Sequence, residues 1–359
     1  MGFKCGIIGL PNVGKSTLFN AITQSSIPAE NFPFCTIEPN VGVVEVPDSR
    51  LNALQDIVEA KKVIPTTLNL VDIAGLVKGA SKGEGLGNSF LSNIREMNAL
   101  AHVVRCFDDN NITHVDGEIN STRDAEVINL ELIFADLETL NNRKEKIEKK
   151  LRSGDKDLAN EFKLIDICIK TLESGNFINM SDFPNKEDLL IIQSFQLLTT
   201  KPIFFIANIS DTASSSNNLD NLKEYAKKMK QEVIAVQIKL EEEIASLDEQ
   251  DKKDFLELEG IEEPALNMII KKGYEILDLE TFFTAGPNEL RAWTLKSGSL
   301  APQAAGRIHT DFERGFIKAE IISFEDYISF GGEAGSKENG KLRLEGKDYI
   351  FKDGDIAHF

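Results

Sequence analysis

The segment from Gly9 to Ser16 reads GLPNVGKS and matches in full the GxxxxGKS pattern of a phosphate-binding loop. The apolar run from Phe3 to Ile8 predicts a buried strand before it, and the amphipathic stretch from Thr17 to Ile22 predicts a helix after it. The bare pattern also arises by chance, but a working loop needs a strand before it and a helix after it, and both are present. The sequence therefore predicts a site for a nucleoside triphosphate.

Each residue type in this loop has a chemical role. Gly9 and Gly14 let the backbone turn so that successive N–H groups point at phosphate oxygens, and the Lys15 ammonium reaches the β- and γ-phosphates. The Ser16 hydroxyl is a ligand for Mg2+, and the dipole of the following helix favours the same anion. We expect Lys15 to act on the reacting phosphates as well. Nucleotide contacts are expected from Gly9, Asn12, Val13, Gly14, Lys15, Ser16 and Thr17.

The length and charge of the chain limit the number of domains and the kinds of partner that it can have. At 359 residues it exceeds one ordinary core, so two or three domains are expected. A net charge of −18 and a pI near 4.8 argue against a chain that coats nucleic acid through bulk charge. The four cysteines are far apart in sequence and form no CxxC pair, which fits free thiols in a reducing compartment and argues against a disulfide framework or a zinc site. Without a leader pattern or an apolar run of ~20 residues, we expect a cytoplasmic protein that has no membrane span.

Predicted strands and helices alternate over residues 1–125 and again over residues 200–280. This alternation predicts an α/β nucleotide-binding domain with a mostly parallel sheet. Between its first helix and a strand at 67–71, we expect an irregular segment.

The remaining residues predict two further regions. Residues 126–199 form an inserted antiparallel helical hairpin, because apolar residues recur at heptad spacing. Residues 281–359 combine short strands, one of them at 349–351, with Gly-rich turns, and predict a small α+β module. The predicted heptad positions are Leu130, Ile133, Leu137, Leu140, Ile147, Leu151, Leu158, Phe162, Ile165, Ile169 and Leu172.

Two further motifs follow the loop in the order that a switch-type triphosphatase requires. Asp72 and Gly75 belong to a DxxG motif at a predicted strand end, which would bring the Asp72 carboxylate to Mg2+ and the Gly75 N–H to the γ-phosphate. Thr36 is the candidate for a second hydroxyl ligand, with an ordinary loop threonine as the alternative. The predicted metal ligands are therefore Ser16, Thr36 and Asp72.

Leu76 directly follows DxxG, where GTPases of the Ras kind place the glutamine that orients the attacking water. A leucine cannot orient water, so either hydrolysis is slow and depends on a partner, or another side chain supplies this function. His114, in a polar segment after the predicted strand Ala101 to Phe107, is the candidate, with a surface loop histidine as the alternative. The other three histidines lie in a buried strand or in the C-terminal region.

Three segments resemble the YchF family, the Obg-like ATPases: NFPFCTIEPN from Asn31, VDIAGLVKGASKGEGLG from Val71, and FFTAG with RAWT between Phe282 and Thr294. The resemblance covers essentially the whole chain, and the motifs are highly specific. It implies a G domain, an inserted antiparallel coiled coil and a C-terminal TGS domain of β-grasp type. It also implies ribosome association, hydrolysis of ATP more readily than GTP, a hydrophobic residue at 76 and a catalytic His114. Asn12 matches the asparagine that accompanies K+-stimulated hydrolysis in related phosphate-loop proteins, so we expect K+ as a second cofactor.

The base-reading segment is Asn208-Ile209-Ser210-Asp211, after the predicted strand that ends at Ala207. GTPases use NKxD here, and the Asp accepts hydrogen bonds from guanine N1 and N2. This chain keeps Asp211 but lacks the Lys, and the YchF family usually has Glu in place of the Asp. Because Asn208 can hydrogen-bond adenine and Ile209 can pack against it, we expect ATP, with GTP as the alternative.

Two classes of function remain open from the sequence. One is a hydrolytic ATPase switch on the translation machinery, and the other is a nucleotide sensor or scaffold that scarcely hydrolyses ATP. In the C-terminal region, Arg307, Arg314 and Lys318 are candidate contacts to RNA phosphates, with scattered surface charge as the alternative. The helical arm is a second candidate surface for a partner. The chain ends at Phe359, a few residues before the family usually ends, which predicts a shortened last strand.

Overall fold

The computed structural model of the protein describes residues 3–24, 40–73, 86–109, 118–151, 156–261 and 263–359. The strands are β1 (Lys4–Ile8), β2 (Val41–Glu45), β3 (Val63–Ile64), β4 (Thr67–Asp72), β5 (Ala99–Arg105), β6 (Ile203–Asn208), β7 (Val233–Val236), β8 (Leu279–Ala285), β9 (Leu290–Lys296), β10 (Ala319–Ile322), β11 (Arg343–Glu345) and β12 (Ile356–His358). The helices are α1 (Lys15–Gln24), α2 (Ser49–Val58), α3 (Leu86–Glu96), α4 (Ser121–Leu151), α5 (Lys156–Glu173), α6 (Lys186–Ser194), α7 (Ala213–Lys228), α8 (Ile238–Ala245), α9 (Glu249–Glu259), α10 (Ala265–Ile276), α11 (Ala301–Ile308), α12 (Thr310–Arg314), α13 (Phe324–Ser329) and α14 (Glu333–Glu338).

The first sheet, within the described residues, has the strand order β2-β4-β1-β5-β6-β7. β1 pairs in parallel with β4 and β5, β5 with β6, and β6 with β7, whereas β2 pairs antiparallel with β4. Every residue of β5 and β6 is buried, as expected for the central strands of a parallel sheet with helices on both faces. The prediction of an α/β fold with a mostly parallel sheet is confirmed.

The sequence predicted an irregular segment before β4, and for residues 40–66 this prediction is wrong. The strands β2 and β3 and the helix α2 occupy that part of the chain. α2 begins after Asp48, whose carboxylate accepts a hydrogen bond from Arg50 N at 3.0 Å, and it ends at Glu59 in left-handed backbone. All three elements are short, and β3 and α2 take their support from C-terminal residues, so local periodicity does not reveal them.

The long helix α4 packs against α5 over an apolar core of its own, as the heptad spacing predicted for most positions. Ile133, Leu140 and Ile147 face this core, but Leu130 is 44% exposed, so its assignment to the heptad seam is wrong. The reason is that the first half of α4 belongs to the nucleotide domain, where Ile128 joins the core of the first sheet. α4 therefore packs on the first sheet near its start and on α5 further along, and the heptad face begins only where α5 becomes its neighbour.

Hydrogen bonds fasten the helical hairpin to the nucleotide domain. The Arg95 guanidinium at the end of α3 donates to the Thr139 hydroxyl at 3.0 Å and to the Gln196 carbonyl at 3.1 Å. The buried Asp136 carboxylate accepts from the backbone N–H groups of Leu198 and Thr199, at 2.9 and 2.8 Å. The base of the hairpin is therefore tied both to α3 and to the segment that leads into β6.

The second sheet has the described strand order β11-β10-β12-β8-β9-β3 and combines the C-terminal strands with β3. Side chains of β8 alternate between its faces, so that Phe282 packs toward α11 and Phe283 packs toward α2. The Arg50 guanidinium of α2 also pairs with the Asp353 carboxylate at 2.7 Å. Part of the N-terminal half therefore completes the C-terminal module, a connection that the sequence did not predict.

The C-terminal module departs from the sequence prediction at residues 349–351. A strand was predicted there, but Ile350 forms only an isolated bridge to Leu300. Throughout the described residues, no helix combines the length and the apolar character that crossing a bilayer requires.

Replacing Leu54 with alanine should lower the free energy of unfolding by about 2–5 kcal/mol, because Leu54 is fully buried where α2 meets the C-terminal sheet. Urea titration followed by circular dichroism measures this change. Leu258→Ala is the matched control, since Leu258 is 82% exposed on α9 and its loss should cost less than about 0.5 kcal/mol. Equal stabilities of the two variants would contradict the conclusion that α2 packs on the C-terminal sheet through Leu54.

Candidate nucleotide site

The phosphate-binding loop connects the end of β1 with the start of α1, at the carboxyl edge of the first sheet. β1 lies between β4 and β5, so the loop sits where the ends of parallel strands form a crevice. The loop contains left-handed backbone at Asn12, with φ 60°, and at Gly14, with φ 101°. This arrangement is the strand, loop and helix that the sequence predicted around the motif.

Close packing explains why glycine occupies two positions of the loop. A Cβ on Gly9 would lie 2.4 Å from the Val103 carbonyl oxygen, which belongs to β5. A Cβ on Gly14 would lie 2.7 Å from Asn208 Nδ2, at the end of β6. Real Cβ atoms do not approach neighbours so closely, so the loop reaches its position against β5 and β6 only because both side chains are absent.

Lys15 is the first residue of α1, and its side chain is almost fully buried. Its ammonium donates a hydrogen bond to the Leu10 carbonyl at 2.7 Å, which holds the side chain back along the loop. Burial lowers the pKa of Lys15, while the nearby Asp72 charge opposes this change. The ammonium is thus kept beside the loop, where phosphate oxygens would replace part of its lost hydration.

Ser16 and Asp72 meet at the same edge, although they are distant in sequence. The Ser16 hydroxyl donates to Asp72 Oδ2 at 2.9 Å, and Asp72 Oδ1 is shielded from solvent with no hydrogen-bond partner among the described residues. A hydroxyl beside an unpartnered carboxylate oxygen fits Mg2+, which prefers oxygen ligands and keeps several waters. The described residues contain no cluster of three or more His, Cys, Asp or Glu side chains that would hold a metal ion alone, so phosphate and water oxygens would complete this shell.

Some predicted site residues lie outside the described residues. These residues are Thr36, Gly75, Leu76 and His114. Their predicted roles in metal binding, γ-phosphate binding and water orientation stay predictions.

Asn208 joins the phosphate loop to the end of the sheet. Its side chain is buried, and its Nδ2 donates to the Val13 carbonyl at 3.0 Å while its Oδ1 accepts from Ile238 N at 3.3 Å. The sequence predicted a hydrogen bond from Asn208 to adenine, and that bond stays a prediction. The sequence missed the bracing contact with Val13, because the two residues are 195 positions apart.

The rest of the predicted base-reading segment forms a turn between β6 and α7. Ile209 is half-buried and packs on the apolar cluster beneath α7, while Asp211 is exposed. Asp211 Oδ1 accepts a hydrogen bond from Gln237 Nε2 at 2.8 Å. Sequence reasoning missed Gln237, which fell inside a strand predicted over residues 233–238. β7 ends at Val236, and the position of Gln237 at the carboxyl end of that apolar run was the signal that could have found it.

His102 lies inside β5 and is fully buried, as the sequence predicted for a strand histidine. Its ring centroid is 5.1 Å from that of Phe205 on the neighbouring strand. Burial lowers the pKa of His102 to about 3, and the Lys15 charge acts in the same direction. The imidazole is therefore neutral at physiological pH and serves as part of the core.

Substituting alanine for Gly14 should weaken binding of a non-hydrolysable nucleoside triphosphate analogue by at least about tenfold, because the new Cβ both strains the backbone and displaces the Asn208 amide. Isothermal titration calorimetry measures the affinity. Gly175→Ala is the control, since Gly175 also has a positive φ, of 79°, but nothing lies within 4 Å of the added Cβ. Equal affinities for the two variants would argue against the contact with Asn208.

Lowering the pH from 7.5 to 5 should cost the folded protein about 2 kcal/mol through His102. An unfolded histidine binds a proton below a pKa of about 6.5, whereas the folded chain does not protonate His102 until about pH 3, so acid favours unfolding throughout this interval. Urea titrations at both pH values test this, and His102→Leu should lose that part of the pH dependence. His309→Leu, at an exposed histidine, should keep the pH dependence of the unmodified chain. Identical pH profiles of stability for the two variants would contradict the assignment of this effect to His102.

Comparison with known proteins places this chain among close relatives. The family model of the 50S ribosome-binding GTPase matches residues 4–136, and the model of the YchF GTPase C-terminal family, described as a protein of unknown function, matches residues 279–359. The ribosome-binding ATPase YchF of Escherichia coli O157:H7 is 53% identical over 100% of this chain and 99% of its own length, and that of Bacillus subtilis strain 168 is 51% identical with the same coverage. The solved structure of the Schizosaccharomyces pombe YchF GTPase superposes with a TM-score of 0.90 at 36% identity, covering 99% of this chain and 97% of that one. The chain therefore belongs to the YchF family.

Proposed function

We propose that this chain is a Mg2+-dependent ATPase that acts as a nucleotide-controlled switch on the ribosome, in the cytoplasm. The observation that carries the proposal is the meeting of Lys15, Ser16 and Asp72 at one edge of the sheet, where one Asp72 oxygen has no hydrogen-bond partner in the described part of the chain. The relatives named ribosome-binding ATPase align over the whole chain, which supports the same activity and the same partner here.

The loop residues bind and orient the triphosphate. Backbone N–H groups of the loop, which Pro11 alone lacks between Gly9 and Ser16, bind the β-phosphate in this proposal. The Lys15 ammonium exchanges the Leu10 carbonyl for β- and γ-phosphate oxygens. Mg2+, when bound, neutralises charge on the same phosphates. Hydrolysis then attaches a water oxygen to the γ-phosphorus and breaks its bond to the β–γ bridging oxygen, and Lys15 stabilises the charge that develops there.

Water orientation is assigned to His114, since Leu76 has no hydrogen-bonding group. This proposal rests on the sequence and on the family resemblance. The missing glutamine favours slow intrinsic hydrolysis that a partner accelerates. It equally favours the second candidate function, a nucleotide sensor that scarcely turns over.

ATP is the proposed nucleotide, and GTP is the alternative. The bacterial relatives are named ATPases, whereas the fission yeast structure is described as a GTPase. Asp211 retains a guanine-type acceptor, but its Oδ1 already accepts a hydrogen bond within the protein. Stimulation by K+ through Asn12 belongs to the same proposal.

RNA contact through the C-terminal module is a further part of the proposal. Arg307, Arg314 and Lys318 are all exposed, but the Arg307 guanidinium already lies over the Phe3 ring of the nucleotide domain, 5.6 Å from its centroid. Arg314 and Lys318 are therefore the better candidates for phosphate contacts. The helical arm, with exposed Lys146 and Lys149 near the end of α4, is the second candidate surface.

Steady-state phosphate release from ATP and GTP, with and without ribosomes and in Na+ or K+ buffer, tests the proposed function. We expect Mg2+-dependent ATP hydrolysis that ribosomes and K+ accelerate, and Lys15→Ala should reduce it by at least about a hundredfold. Lys149→Ala, at an exposed lysine on α4, is the control for loss of a lysine, measured without ribosomes. Turnover at background even with ribosomes would favour the sensor, and faster turnover of GTP would favour the alternative nucleotide.

Changing His114 to alanine should leave ATP affinity intact and lower turnover by about 10²–10⁴-fold, the usual contribution of a group that moves or orients a proton. The comparison pairs calorimetric affinity with single-turnover hydrolysis. His309→Ala, at an exposed histidine of the C-terminal module, serves as the control. Unchanged turnover in His114→Ala would remove this residue from the mechanism.

A further inference from the structure

Two segments at the carboxyl ends of neighbouring strands meet beside the phosphate loop. β6 and β7 are in parallel register with Asn208 opposite Val236, and Ile209 N donates to the Val236 carbonyl at 3.0 Å. This pairing brings the turn after β6 next to the residue after β7. Gln237 Nε2 consequently donates to Asp211 Oδ1 at 2.8 Å.

Helix capping does not explain this position of Gln237. It is the N-cap residue of α8, yet its side chain makes no capping hydrogen bond. The side chain is half-buried and turns to Asp211 instead. The next residue, Ile238, donates through its N–H to Asn208 Oδ1, so Gln237 is attached to the same scaffold that braces the phosphate loop.

The turn that carries Asp211 is itself held in place. Ser210 N donates to the Ser215 hydroxyl at 3.0 Å, and the Thr212 hydroxyl caps α7 by accepting from Ser215 N. The backbone position of Asp211 is therefore set by α7, and the hydrogen bond from Gln237 sets the rotation of its carboxylate. These contacts make Gln237 and Asp211 one unit at the crevice that a nucleotide base would enter.

Adenine and guanine differ in the hydrogen bonds that they can donate to the Asp211 carboxylate. Guanine offers donors at N1 and N2 side by side, and a carboxylate satisfies them best with both oxygens free and in plane. Adenine offers one amino group, which needs a single acceptor. Gln237 takes one of the two acceptor sites on Asp211 Oδ1 and fixes the rotation of the carboxylate. The carboxylate therefore keeps the single acceptor that adenine needs, and its two-oxygen match to guanine is weakened.

We propose that Gln237 is a positioning residue that sets base specificity in this chain, by holding Asp211 as a one-sided acceptor that favours adenine over guanine. This assignment rests on the proposed function, since it requires the base to lie against Asp211. Gln237 acts through the carboxylate, so removing it changes discrimination between nucleotides and leaves the phosphate contacts in place.

The test measures dissociation constants for the non-hydrolysable β,γ-imido analogues of ATP and GTP, in Mg2+ buffer, by isothermal titration calorimetry. Gln237→Ala should raise the affinity for the GTP analogue relative to the ATP analogue by about tenfold, because it frees the acceptor site on Asp211 Oδ1 and lets the carboxylate turn to face both guanine donors. Gln237→Leu keeps the side-chain volume without the donor and should shift the ratio in the same direction. In an Asp211→Ala background, Gln237→Ala should leave the ratio unchanged.

Gln250→Ala is the matched control, since Gln250 Nε2 also donates to an aspartate, Asp254, at 2.8 Å, on α9. Gln250→Ala should leave the ratio of the two dissociation constants, for the GTP and the ATP analogue, as it is in the unmodified chain. A ratio that stays within about twofold in both Gln237 variants would overturn the assignment, and so would a shift that persists without Asp211. Absence of binding of either analogue to the unmodified chain is a separate outcome, which would overturn the proposed function itself.

Discussion

The contact between Asn208 and the phosphate loop supports the rest of the site. Its amide donates to Val13, accepts from Ile238 and occupies the space that a side chain at residue 14 would need. One buried amide thus connects the ends of β1, β6 and β7. Because each contact with a buried polar group is costly to lose, the phosphate loop, the turn after β6 and the start of α8 are expected to hold their positions together.

Local sequence patterns were sufficient for the parts of this fold that depend on near neighbours. The phosphate loop, the parallel strands and the change from αβ alternation to heptad spacing are all visible within short windows. Leu130 was misassigned because α4 changes its packing partner midway. Gln237, the second role of Asn208 and the path of α2 depend on pairs far apart in sequence, which no periodicity encodes.

The base of the helical hairpin is a point where two parts of the molecule share contacts. α3 follows the segment that contains the DxxG motif, and Arg95 near its end donates to Thr139 on α4. Lys201, which is partly buried before β6, donates to the carbonyls of Arg95 and Met97 at the same helix end. The position of α3 and the hydrogen bonds at the base of the hairpin are therefore linked.

The membership of β3 and α2 in the C-terminal module has a consequence for how the chain is made. Arg50 and Asp353 pair although they are 303 residues apart, so at common rates of protein synthesis α2 waits on the order of 15–60 s for its partner. Until then the side chains of Leu51 and Leu54 have no second sheet to cover them. The nascent nucleotide domain would thus carry an apolar helix on its surface, a target for a chaperone until the last strands leave the ribosome.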